Sequence, residues 1–225
     1  MNYKMMGKFI SQILFVEAAF MLPALLLSIV YGEQSAVRGF IGAIIITLIV
    51  AAIMYVLCRN AVKRFYAREG LVCVGMSWIA LSIMGCLPFF ISREIPDFLD
   101  ALFEIVSGFT TTGSSILTDV EALSHGLLYW RSFSHWLGGM GVLVFLLAVV
   151  SRDRGGIGFT LHILRAESPG PNVGKLVPKM HTTARILYVI YVLLTIINIV
   201  FLLFGGMPVF EAVCTAMGTA GIGGL

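Results

Sequence analysis

Apolar residues run with few interruptions through five stretches of this chain, at about 9–30, 40–58, 71–91, 128–150 and 186–205. Each approaches the ~20 residues a helix needs to cross a bilayer. The first two are joined by the polar turn "YGEQSAVRG", and a basic loop separates them from the third. Then the pattern changes. In "SREIPDFLDALFEIVSGFTTTGSSIL", Pro96 and Asp97 are helix-start signals and Asp100 suits a first turn. Phe98, Ala101, Leu102, Ile105 and Val106 recur at helical spacing, and Gly108 supplies a stop. The resulting helix has about twelve residues, roughly 18 Å at 1.5 Å per residue, too short to cross.

The span after it must itself cross, so the segment between enters and leaves on one side. A re-entrant helix followed by a polar loop is expected. Backbone outside a helix survives at membrane depth only where it is buried in protein or lines a watery cavity. "SGFTTTGSSIL" is therefore expected to line a pathway.

The pattern recurs after 111 residues. "DALFEIVSGFTTTG" (100–113) lies against "EAVCTAMGTAGIGG" (211–224), with Asp100 on Glu211, Ala101 on Ala212 and Gly113 on Gly224. Few letters are identical, but the plan of span, proline, short helix and glycine-ended loop appears twice. A short helix whose C-terminus points into the membrane directs partial negative charge inward. An extended loop after it can present carbonyls in a line, as in filters that replace a cation's hydration shell. Glycine allows the positive φ that turns such carbonyls one way. Thr111 and Thr112 can add oxygens, whereas the second loop, "IGG", offers mainly backbone.

Composition agrees with a membrane protein. Of 225 residues, 59% are apolar and 12% charged, half the charge of a typical soluble domain. The first apolar run is longer than a signal peptide's and lacks a small-x-small cleavage site, so it reads as a retained helix. Cys58, Cys73, Cys86 and Cys214 form no CxxC pair and read as buried apolar thiols. Twelve of the fifteen basic residues fall at Lys4 and Lys8, in 59–68 and in 152–185. By the positive-inside bias, the N-terminus and those two loops are cytoplasmic. The opposite loops hold eight of the twelve acids, among them Asp100, Glu104 and Glu211, an arrangement suited to receiving cations from outside.

"FTTTGSSIL", "HWLGGMGVLVF", "LRAESPGP" and the glycine-rich second loop resemble the Trk/Ktr/HKT superfamily of potassium transporters, specifically its bacterial Trk-type pore subunit. The similarity runs over essentially the whole chain, with two extra N-terminal helices before the first pore repeat. It implies an all-α integral membrane fold of potassium-channel-like membrane–pore–membrane repeats with re-entrant pore helices. Four such repeats surround one ion path, each loop contributing a filter strand. By resemblance, the first strand is Thr111, Thr112, Gly113 and Ser114, and the second is Ile222, Gly223 and Gly224. Glycine in the first loop, where some plant relatives carry serine and favour sodium, points to potassium (K+) as the transported ion.

The resemblance further implies a bacterial inner-membrane protein, a homodimer in contact with lipid, and a ring of cytoplasmic nucleotide-binding regulatory subunits. No organic cofactor and no nucleic acid are expected. The expected divisions are 1–70 (two N-terminal helices and a basic loop), 71–150 (first repeat), 151–185 (cytoplasmic linker) and 186–225 (half of a second repeat). A carboxylate ending at pore depth is costly, so the chain is expected to be part of one roughly twice as long or more, unable to conduct alone.

Other features receive plainer readings. Asp100 and Glu211 serve helix starts as well as they would attract cations. Glu17, inside the first span, reads as a helix–helix contact. Arg131 either snorkels or pairs with acids at the mouth. "LGGMG" (137–141) reads as close packing rather than a phosphate loop. His125, His135, His162 and His181 lack metal-ligand spacing. The alternatives are an intramembrane serine protease, with Ser114 or Ser115 against His125 or His135, and a non-conducting membrane subunit. The internal repeat argues against the protease, because a dyad needs no second copy.

Overall fold

A computed structural model describes residues 3–59, 67–141 and 180–221. Every regular element among them is a helix: α1 (Tyr3–Val30), α2 (Gln34–Leu57), α3 (Ala67–Gly85), α4 (Leu87–Ser92), α5 (Phe98–Phe109), α6 (His125–Gly139), α7 (Met180–Phe204) and α8 (Val209–Ala220). Four segments are long and apolar enough to cross a membrane, namely Tyr3–Val30, Gln34–Leu57, Val72–Ser92 and Arg185–Phe204.

α1 and α2 form a hairpin closed by Gly32, whose φ of 71° suits glycine. Small side chains bring the helices close. Ala24, Ala36, Ala43 and Ala51 are fully buried, and a Cβ at Gly39 would lie 2.7 Å from the Pro88 carbonyl on α4. The outward faces of α2 and α7 carry exposed isoleucine, leucine and valine, which suit a hydrocarbon solvent.

Two expectations need adjustment. The third span is broken at Cys86, the cap of α4, whose second residue, Pro88, cannot donate a helical hydrogen bond. Trp130 on α6 donates its indole N–H to the Gly85 carbonyl at 2.9 Å, supplying a partner at the break. The fourth span, expected over 128–150, begins earlier, at His125, and its helix ends at Gly139, with Gly141 at φ 66°. Residues 142–150 lie outside the described residues, as does most of the 151–185 linker, including His162.

α6 is the hub. From Trp130 to His135 every residue is buried, as for a helix enclosed on all sides. α1, α5 and α8 all pack against it. α7 docks through Tyr191, whose hydroxyl donates to the Trp136 carbonyl at 2.9 Å, and through Thr195, which accepts the Trp136 indole N–H at 3.0 Å. Glu33, from the α1–α2 turn, accepts the His125 and Gly126 backbone N–H groups at the start of α6. Tyr31 stacks on the His125 ring at 3.9 Å, and Phe210 on α8 meets both rings.

Candidate functional site

The expected short helix is α5. The Asp97 carboxylate caps it by accepting from the N–H groups of Leu99 and Asp100 at 2.7 and 3.2 Å. α5 and α8 have twelve residues each, and their bounds differ by 111 at both ends (98 to 209, 109 to 220). The repeat read from letters is a repeat of helices.

α5 does not stop at Gly108. Its last turn closes one residue later, with the Thr111 N–H bonded to the Gly108 carbonyl and the Thr112 N–H to the Ser107 carbonyl. This is a Schellman-type cap, and the left-handed residue in it is Thr111, at φ 55°. Positive φ is an outlier for a β-branched residue and marks stored strain. Gly108 is needed for closeness instead, because a Cβ there would collide with the Ser134 hydroxyl on α6.

From Thr110 the chain turns back along α5. Gly113 takes φ 75°. The Ser107 hydroxyl donates to the Ser114 carbonyl at 2.5 Å. Higher up, the Glu104 carboxylate accepts from the Ser115 hydroxyl at 2.9 and 3.0 Å and from the Ile116 N–H at 3.1 Å. Between the helix cap and these anchors, the carbonyls of Thr111, Thr112 and Gly113 receive no hydrogen bond among the described residues. Thr112 and Ser114 are exposed, Thr111 and Gly113 half-buried. The Thr112 hydroxyl meets that of Thr110 at 2.8 Å. Four of the expected site residues thus follow one another along this strand, and the carbonyls of the first three receive no hydrogen bond among the described residues.

The ends of the two short helices meet α6 at one level. A Cβ at Gly138 would collide with the Phe109 carbonyl, and one at Gly221 with the His135 carbonyl. A Cβ at Gly139 would lie 2.6 Å from the Tyr191 hydroxyl and 3.0 Å from Gly221 Cα. The close-packing reading of "LGGMG" holds for these two glycines. Both helix C-termini, which carry partial negative charge, therefore lie against neighbouring points of α6. Ile222, Gly223 and Gly224 lie outside the described residues.

Glu104 is not a free cation attractor. It is fully buried, and Arg131, 2% exposed, donates to it from Nε at 2.5 Å. Of the two readings of Arg131, pairing with an acid is the one realised. Glu17 is buried against α3, close enough that a Cβ at Gly85 would meet its Oε1 at 3.0 Å, and neither oxygen has a hydrogen bond among the described residues. No group of three or more metal-binding side chains occurs among the described residues.

The serine–histidine alternatives do not assemble. Ser115 donates to Glu104, the His125 ring nitrogen bonds Glu33 at 2.7 Å, and the His135 Nδ1 lies 3.0 Å from the Arg131 carbonyl. Sequence reasoning missed the bracing roles of Ser107 and Ser115. The available signal was an acid and an arginine set in otherwise apolar segments, both requiring a partner.

Comparison with known proteins agrees with this geometry. Residues 37–225 match the family model TrkH, described as cation transport protein. The chain is 36% identical over 206 residues to the Trk system potassium uptake protein TrkG of Escherichia coli strain K12, covering 91% of this chain and 42% of that protein. It is 33% identical over 227 residues to TrkH of Salmonella typhimurium, with 100% and 46% covered. The crystal structure of the potassium transporter TrkH from Vibrio parahaemolyticus superposes with a TM-score of 0.77 at 27% identity, over 96% of this chain and 42% of that one. The chain spans a little under half the length of these relatives. With a family model matching most of its residues, the chain belongs to the TrkH family of cation transport proteins, a family of membrane transporters and not of enzymes.

Proposed function

We propose that this chain contributes part of the pore-forming subunit of a Trk-type potassium uptake system. α5 and α8 act as re-entrant pore helices, and the strands after them line the path of a dehydrated potassium ion. Thr111, Thr112, Gly113 and Ser114 form the first strand, with Ile222, Gly223 and Gly224 as the second. Carbonyl and hydroxyl oxygens replace the ion's water, and the paired helix C-termini lower the energy of positive charge there. The observation that carries this reading is the row of three carbonyls, Thr111 to Gly113, without an internal donor among the described residues. A strand held this way serves a ligand that takes many oxygens at once.

The remaining assignments follow from the same reading. The sequence divides into an N-terminal hairpin with its loop (1–70), a first repeat (71–150), a cytoplasmic linker (151–185) and half of a second repeat (186–225). The protein sits in the bacterial inner membrane with its N-terminus inside, as the distribution of basic residues supports. It forms a homodimer and presents its basic linker to nucleotide-binding regulatory subunits.

The test is Gly113→Asp, expressed from the complete reading frame in cells lacking other potassium uptake. Loss of potassium uptake at normal levels of folded membrane protein is expected. Retained uptake contradicts the filter.

A further inference from the structure

We propose that Glu104 and Arg131 are positioning residues that set the ion selectivity of the first strand by fixing where its outer half lies. This rests on the filter reading above and assigns it a specificity-determining support.

The geometry is that of a clamp. Each Glu104 oxygen is engaged: Oε1 by Arg131 Nε and the Ser115 hydroxyl, Oε2 by that hydroxyl and the Ile116 N–H. The strand is thereby pinned above Gly113. Ser107 holds the strand on both sides of Gly113, because its carbonyl accepts from the Thr112 N–H at 2.9 Å and its hydroxyl donates to the Ser114 carbonyl. The carbonyls of Thr112 and Gly113 lie between points fixed on the same helix. Their spacing is set by α5, not by the loop.

Charge points to geometry as the mechanism. A lone buried carboxylate would draw cations, but the arginine against it cancels its field at a distance. A buried ion pair is costly in desolvation, and apolar residues would join α5 to α6 as well or better. What apolar residues cannot do is hold a hydroxyl and a backbone N–H of the returning strand. The second repeat differs: Thr215 stands at the position 111 after Glu104, and Gly218 at the position after Ser107. Among the described residues the clamp belongs to the first repeat alone, so its loss should alter one strand's discrimination without dismantling the common plan.

Ser115→Ala separates the two roles Glu104 could have, because it removes a strand contact and leaves the Glu104–Arg131 pair intact. It is compared with Ser115→Thr, which keeps the hydroxyl, and with Glu104→Gln. Competitive rubidium, potassium and sodium uptake is measured in cells expressing the complete reading frame. Folded protein is quantified by melting in detergent. One lost hydrogen bond corresponds to about a 3- to 10-fold change in an equilibrium. Ser115→Ala should therefore lose potassium-over-sodium preference by about that factor. The change should fall on apparent KM more than on maximal rate, compared at equal amounts of folded protein. Ser115→Thr should restore the preference, and Glu104→Gln should lose more of it. The proposal is overturned if Ser115→Ala keeps full selectivity, or if the Glu104 variant lowers only the amount of folded protein. When Gly113→Asp abolishes uptake but Ser115→Ala is silent, the clamp fails alone; when Gly113→Asp transports normally, the filter reading fails first.

Discussion

Replacing Gly138 by alanine tests how closely α6 presses on the end of the first short helix. In an open helical position, glycine to alanine stabilises by roughly 0.5–1 kcal/mol. Gly75 on α3 is such a position, since a Cβ there meets nothing within 4 Å. At Gly138 the added carbon collides with the Phe109 carbonyl oxygen and would lie 2.9 Å from that carbonyl's carbon and 3.0 Å from the Gly108 oxygen. All three are backbone atoms that cannot swing aside. Overpacking costs about 1–3 kcal/mol, which outweighs the helical gain and leaves a net loss of about 1–2 kcal/mol. At about 2–4 °C per kcal/mol for a chain of this size, Gly138→Ala should melt about 2–8 °C below wild type. Gly75→Ala should melt at or slightly above it. Thermal unfolding of both proteins in the same detergent is the assay. Uptake should fall in Gly138→Ala, because the displaced carbonyl directly precedes Thr110. A Gly138→Ala protein as stable as Gly75→Ala would refute the close approach and the convergence of helix ends on α6.

Two further substitutions test the supports around the site. Asp97→Ala removes the α5 cap and should cost about 1 kcal/mol of stability, read as a lower melting temperature that Asp97→Asn or Asp97→Ser largely restores. Trp130→Phe leaves the Gly85 carbonyl without its donor at the α3–α4 break. A loss of about 1–3 kcal/mol is expected, and unchanged melting would show that the indole is not needed there.

The short helices were legible in the sequence because their signals are local. Asp97 precedes an apolar run at helical spacing, and the same plan returns 111 residues later. Four of the five expected spans were legible through length and hydropathy. Three features were not. Threonine disfavours positive φ, so nothing in the letters marks Thr111 as the left-handed cap, and Gly108 is the natural misreading. Glu104 and Arg131 are 27 residues apart, and Glu33 and His125 are 92 apart. Such pairs depend on how helices pack, which spacing alone does not encode. The break at Cys86 was signalled by Pro88, but hydropathy runs through it unbroken.

The central claim is that the carbonyls of Thr111, Thr112 and Gly113 bind the transported ion. The direct measurement is anomalous diffraction from crystals of the complete protein grown in rubidium. The account predicts anomalous density within coordination distance of those carbonyls, lost in crystals grown in sodium alone. A rubidium-bound structure with no density beside that strand, or with those carbonyls turned toward protein donors, would contradict it.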